Sequence, residues 1–276
     1  MRERSDRAAP GDDAVNRGSA AAYSVTGEAW QHGPGRIYDR LAEVLIARAP
    51  ASLQVRLALD VGAGTGAASR ALLAAGATGV VAVDTAFGML AHDASCRPPS
   101  AVGDALALPF PGSTFDAAVA AFSLNHLASP AAGLGEMARV TRPGGALLAS
   151  AYAADDGHPV KAAVEAALAG RGWTPEPWYR ALQADIAPQL ATVEGCAAAA
   201  RAAGLDADVE RLRVPFPDLD AGALVAWRLG LAQHAPFLAQ LPPGDREAVA
   251  VEARGRLGDE PPPLVRSILV LRAISP

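Results

Sequence analysis

Three glycines spaced two apart, Gly62, Gly64 and Gly66, stand directly behind an apolar run, residues 55–61, that carries Asp60 near its end. A short strand that breaks into a glycine turn and re-forms as a helix, here over residues 67–75, brings backbone N–H groups close to a nucleotide-like ligand. Glycine also marks plain tight turns, so the loop alone leaves a structural turn open. Three further segments extend the pattern. Residues 79–84 (GVVAVD) read as a second buried strand ending in Asp84, where a doubly wound fold places a carboxylate to accept from ribose hydroxyls. Gly103-Asp104-Ala105, ahead of Leu108-Pro109-Phe110, offers a third acid at a strand end. Residues 115–122 form a fourth apolar strand, followed by Asn125-His126 and later by residues 139–145 (RVTRPGG). Three acids at three successive strand ends, in register with a glycine loop, point to a nucleotide-containing ligand.

These residues resemble the class I S-adenosylmethionine-dependent methyltransferases, in particular the small-molecule branch that includes the ubiquinone/menaquinone C-methyltransferases. The matching motifs are D-V-G-A-G-T-G (60–66), V-D-x4-M-L (83–90), G-D-A-x-x-L-P-F (103–110), F-D (115–116), N-H-L (125–127) and E-x-x-R-V-x-R-P-G-G (136–145). Ala86 departs from the serine usual two residues after the second acid, and Gly112 from an aspartate before F-D. The resemblance implies S-adenosylmethionine as cofactor, with contacts at Asp60, Gly62, Ala63, Gly64, Gly66, Asp84, Thr85, Met89, Gly103, Asp104, Ala105, Phe122 and Ser123. Asp60 would order water or the ammonium group, and Asp84 would take the ribose diol. Asp104 would accept from the adenine amino group, so that Asp104→Asn is expected to bind better than Asp104→Ala. Met89 either packs on the adenine face or belongs to the core.

Methyl transfer is an in-line displacement whose product side is less charged, so alignment and water exclusion supply most of the catalysis. His126, just past the fourth strand, is the candidate general base; the alternative is a histidine that braces the following turn. Asp155 and Asp156 read as a solvated loop. The other histidines have no metal-ligand spacing, so no metal is expected. All tyrosines and tryptophans lie outside residues 39–151. Tyr23, Trp30, Tyr38, Asn125, Tyr152, Trp178, Tyr179 and Trp227 are accordingly the expected acceptor-binding residues, for a small apolar or aromatic metabolite such as secondary-metabolite biosynthesis makes. Packing of the rings among themselves is the plainer alternative.

Two other classes compete. A nicotinamide-dependent oxidoreductase shares the glycine turn and the second acid, but its loop is G-x-G-x-x-G and it does not require Asp104. A protein of the same fold could also keep the cofactor without transferring methyl.

Composition narrows the setting. The chain of 276 residues is 51% hydrophobic, with a net charge of −5 that argues against nucleic acid as partner. No long uncharged apolar run and no signal-peptide pattern appears, and Cys96 and Cys196 sit in unrelated contexts, so a cytoplasmic protein with two free thiols and no membrane partner is expected.

The elements that must position these residues follow from periodicity. The expected fold is α/β: a Rossmann-like doubly wound seven-stranded sheet, mostly parallel with an antiparallel last strand, plus helical lid insertions. Residues 1–22 read as a flexible leader and 23–276 as one domain, with the cofactor-binding core at about 51–152. Within that core, strand and helix should alternate five times. Acceptor-binding lid helices are expected over about 153–205 and 215–262, among them 160–169, 178–186, 193–203, 221–241 and 245–257. Strands at 208–214 and 264–273 would form a terminal antiparallel hairpin. Deleting residues 1–39 is expected to spare the sheet's core.

Overall fold

A computed structural model describes residues 10–276, with side chains from residue 15 onward. Helices α1 (Pro10–Ser24), α2 (Gly27–His32) and α3 (Gly35–Ile46) lead into strand β1 (Ala58–Val61). Then come α4 (Ala67–Ala74), β2 (Val80–Asp84), α5 (Phe87–Ala91), β3 (Ser100–Val102), β4 (Phe115–Ala121), α6 (Pro130–Val140) and β5 (Thr141–Tyr152). The second half holds α7 (Val160–Ala169), α8 (Pro177–Ala181), α9 (Val193–Ala202), β6 (Ala207–Phe216), α10 (Ala221–Leu229), α11 (Ala235–Gln240), α12 (Pro243–Leu257) and β7 (Leu264–Ile274).

The strands form one sheet in the order β3-β2-β1-β4-β5-β7-β6, with β7 antiparallel to both neighbours. The central strands are buried on both faces, which is why they read as continuous apolar runs. In β4, Ala117 and Val119 join one core cluster while Ala118 and Ala120 join the other. The first cluster takes Leu41 and Leu45 of α3, Leu72 of α4, Val164 of α7, Leu224 of α10 and Val249 of α12; the second takes Met137 of α6 and Cys196 of α9. Strand β6 lies at the sheet edge, and its charged residues Glu210, Arg211 and Arg213 keep that edge polar.

Several elements differ from expectation. Residues 10–22, expected within a flexible leader, belong with residues 23–24 to α1; residues 1–9 lie outside the described residues. Ala20 to Ala22 favour helix locally, and Val15, Ala22 and Tyr23 gain a partner surface on Trp178, Tyr179, Leu182 and Ile186. No helix joins β3 to β4, because Pro109, Pro111 and Gly112 break the segment. Glu136 of α6 instead accepts from the Leu108 amide at 2.8 Å, and Arg139 donates to the carbonyls of Leu108 and Phe110. Pro143-Gly144-Gly145, residue types that usually interrupt a strand, lie inside β5, where pairing with β4 shifts register between Phe115 and Ala117. The helix expected over 221–241 splits at Gly230, since Pro236 has no N–H to continue it. The one expected over 178–186 passes from α8 into a wider π turn at Leu182–Ile186.

Candidate active site

The loop after β1 turns on left-handed backbone, at φ 68° for Gly62 and 51° for Gly64. A Cβ on Gly62 would stand 2.2 Å from that of Ser123, whose hydroxyl donates to the Val61 carbonyl at 2.7 Å. The loop and the fourth strand's end thus meet without a side chain between them. Asp84 orders the same loop from the neighbouring strand: its Oδ2 accepts from the Gly64 amide at 2.8 Å and its Oδ1 from the Ala86 amide at 2.8 Å. That second bond uses the backbone, so Ala86 closes its turn without the serine common in related sequences.

Asp60 is buried beneath the loop. Its Oδ2 accepts from Ser69 Oγ at 2.6 Å, while Oδ1 has no partner. Burial raises this carboxyl to about 6, against the pull of Ser69 and the charge of Arg97. Burial also raises Asp84, opposed by its backbone donors and by Arg97. Asp104 is exposed at the rim, and its Oδ1 accepts from the Leu106 amide at 2.8 Å.

These groups line one cavity of about 1240 Å³ not filled by protein atoms, its open mouth included. Its floor holds Asp60, Gly62, Ala63, Gly64, Asp84, Thr85 and Met89, with Gly103, Asp104 and Ala105 at one side. Met89 both lines the cavity and joins the core, so the two readings of it coexist. The remaining wall is aromatic. Trp30 and Tyr38 lie 4.7 Å apart by ring centroid, Tyr38 meets Phe122 edge-on at 5.8 Å, and Phe122 stacks on Tyr152 at 4.6 Å. Phe122 holds this position at φ 57°, a backbone conformation a bulky residue rarely adopts. Tyr23 closes the ring with an edge contact to His126 at 5.6 Å. His126 also lines the cavity, is held neutral by burial that lowers it to about 4, and keeps Nδ1 without a partner.

Several expected residues are elsewhere. Gly66 faces Arg97 rather than the cavity, and Asn125 is buried outside the cavity lining with Oδ1 unpaired. Trp178 and Tyr179 lie behind Tyr23 in a separate cluster, and Trp227 packs in the main core beneath Arg266. None of these five lines the cavity, nor does any residue after Tyr152. The helices assigned to a lid, α7, α10 and α12, belong to the main core, because their apolar residues pack on one another and in one cluster with Ile268 and Val270 of β7. Asp156, expected in a solvated loop, holds the buried Arg266 at 3.0 and 3.1 Å and accepts from the Ser267 amide at 2.8 Å.

Sequence reasoning missed the cover, which is α1: Asn16, Ser19 and Ala20 line the cavity with Tyr23. It also missed Arg97 and Arg266. The signal for Arg266 was a charge at an inward position of an apolar strand; for Arg97, in an irregular segment before two prolines, there was none. Among the described residues, no helix is long and apolar enough to cross a membrane.

Residues 59–149 match a family profile described as a methyltransferase domain. The demethylmenaquinone methyltransferase of Mycolicibacterium gilvum is 40% identical over 131 residues, 48% of this chain and 55% of that enzyme. The same-named enzyme of Renibacterium salmoninarum is 38% identical over 135 residues, again 48% and 55%. This chain therefore spans about half the length of the curated relatives it matches. The [4+2]-cyclase SpnF is similar in structure, with a TM-score of 0.51 at 23% identity over 86% of this chain and 81% of that one. Phosphoethanolamine N-methyltransferase 2 of Haemonchus contortus, solved with S-adenosyl-L-methionine, has a TM-score of 0.52 at 20% identity over 86% and 52%. At these identities the likeness to solved structures is one of fold.

Proposed function

We propose that this chain is a class I S-adenosylmethionine-dependent methyltransferase and that it methylates a small apolar or aromatic acceptor. The observation that carries this reading is a single cavity whose floor is the glycine loop with its acids and whose far wall is a ring of aromatic side chains around His126. The residues suit the cofactor. Asp60 Oδ1 is a buried carboxylate oxygen without a partner, which an ammonium group would satisfy. Asp84 has each oxygen engaged once, leaving lone pairs for two ribose hydroxyls. Asp104 has Oδ2 free for an amino group, with the Ala105 amide beside it. When bound, S-adenosylmethionine would supply an electrophilic methyl group to the acceptor atom, with the thioether of S-adenosylhomocysteine as the leaving group.

The protein's part is alignment. Holding two reactants in one geometry is worth about 7–11 kcal/mol, and α1 covers the cavity so that water is excluded. Tyr38, Phe122 and Tyr152 offer ring faces and edges for a planar acceptor, and a quinone-type ring of the kind the relatives' name implies would suit them. His126 is neutral and takes a hydrogen bond or a proton from an acceptor hydroxyl; a base weakened by burial suits an acceptor that is itself acidic, such as a phenol or enol. The setting is cytoplasmic secondary metabolism, to which the free thiols Cys96 and Cys196 are suited.

The test incubates the protein with S-adenosylmethionine and a panel of phenols, enols and quinols. Formation of S-adenosylhomocysteine together with an acceptor heavier by one CH₂ unit is expected. Tight cofactor binding without product across the panel would favour a protein that has kept the site but not the transfer, and binding of a nicotinamide dinucleotide instead would overturn the assignment.

A further inference from the structure

We propose that Arg97 is a positioning residue of this site, tying the glycine loop to α5 and setting a positive charge beside the two carboxylates on the cavity floor. The proposal rests on the cofactor assignment above. Arg97 lies in the irregular segment between α5 and β3, far in sequence from the loop it serves. Its Nη2 donates to the Gly64 carbonyl at 2.7 Å, and its Nη1 donates to the Met89 carbonyl. One planar guanidinium therefore bridges the loop and the helix that follow successive strands. The amide of that same Gly64 is held by Asp84, so both polar groups of one peptide-bonded residue are fixed from outside the loop.

The charge matters as much as the bridge. Asp60 is buried and Asp84 half-buried; the charge of Asp84 disfavours ionisation of Asp60, and Arg97 acts on both in the opposite sense. The groups facing Asp60 are Ser69 from α4, Asp84 from β2 and Arg97 itself; Arg97 in turn faces Arg70 and Asp93. Arg97 thus keeps Asp60 closer to the ionised form that a cationic ligand needs, without touching that ligand.

The experiment compares wild type, Arg97→Gln and Arg97→Lys, each shown folded by circular dichroism. Carbon-13 labelling of aspartate carboxyls reads the titration midpoint of Asp60 in the ligand-free protein, and calorimetry reads affinity for S-adenosylhomocysteine. Arg97→Gln is expected to raise the Asp60 midpoint by roughly one pH unit and to weaken binding roughly tenfold. Arg97→Lys should hold the midpoint near that of wild type and recover only part of the affinity, because an ammonium keeps the charge but not the two-carbonyl bridge. A residue that only supported the fold would weaken binding without moving the midpoint. An Asp60 midpoint unmoved in Arg97→Gln overturns the proposal. A midpoint that moves in a protein that fails to bind S-adenosylhomocysteine supports the placement of charge and overturns the cofactor assignment instead.

Discussion

The amide of Gly64 donates to Oδ2 of Asp84 across 2.8 Å, so the glycine loop after β1 is held by the acid that ends β2. A single carboxylate therefore has two duties, to shape the loop and to face the cavity. Asp84→Ala should lose both. Removal is expected to cost about 1.5–3 kcal/mol of binding, ten- to a hundredfold in affinity for S-adenosylhomocysteine. Asp84→Asn should also bind poorly, since its one carbonyl oxygen cannot accept from both Gly64 and Ala86 and its NH₂ would face a donor. Calorimetry on folded variants checks this, and wild-type affinity in Asp84→Ala would remove Asp84 from the site.

At Asp104 the structure reverses the ranking that residue type alone suggests. Sequence reasoning expects Asp104→Asn to outperform Asp104→Ala because an amide oxygen still accepts. Oδ1 is already engaged by the Leu106 amide, so an asparagine whose oxygen stays there turns its NH₂ toward the cavity. The expected result is that Asn binds S-adenosylhomocysteine no better than Ala, each weaker than wild type. An asparagine variant close to wild type would show that Oδ2 meets no donor on the ligand.

Asp60 and His126 couple stability to pH in opposite senses. Asp60 is raised to about 6, so the folded ligand-free protein keeps a proton that the unfolded chain has released, and this contribution to stability falls as pH rises toward about 6. His126 is lowered to about 4, so the unfolded chain binds a proton the folded state refuses, and its contribution is lost as pH falls toward about 4. Each effect is about 3 kcal/mol. Relative to wild type, Asp60→Asn should gain stability as pH rises through that interval, and His126→Gln should gain as pH falls. Urea unfolding at both ends of the interval measures the two slopes, which must have opposite signs.

The N-terminal arm divides into a part that folds the protein and a part that covers the site. Deleting residues 1–39 would cut α3 and remove Trp30 and Ile37 from the main core, so the expectation that such a truncation spares the core is overturned. Deleting residues 1–25 removes α1, and with it Tyr23 from the margin of that core, but leaves its buried residues in place. The shorter truncation is expected to fold, to bind S-adenosylhomocysteine more weakly, and to lose turnover much more than affinity, because Asn16, Ser19, Ala20 and Tyr23 no longer exclude water. Ser24 sits so close over α5 that a Cβ on Gly88 would meet its carbonyl oxygen at 1.7 Å, so the arm docks beside the residues that follow Asp84. Turnover comparable to wild type would make α1 a packing element only.

What was legible in the sequence was whatever repeats at a fixed short range. The strands that carry Asp60, Asp84 and Phe115–Ala121 are buried on both faces and so appear as apolar runs, and the glycines that follow Asp60 mark the turn directly. The helix at Val160–Ala169 was expected at these bounds. The break at Gly230 to His234 was not, because the apolar run continues across it and outweighs the one local signal, Pro236.

Residue type and spacing were enough for the sheet, the loop and the order of three acids along the sheet's carboxyl edge, because local spacing in a parallel sheet dictates which residues reach that edge. What closes over them depends on contacts between distant parts of the chain. Trp178, Tyr179 and Trp227 have the composition of an acceptor site, yet they spend their faces on Tyr23, on one another and on Arg266, while a polar segment with no periodicity of its own forms the cover. A side chain's chemistry is written in its type, but whether it meets a ligand depends on which neighbours reach its faces first, and those neighbours are distant in the chain.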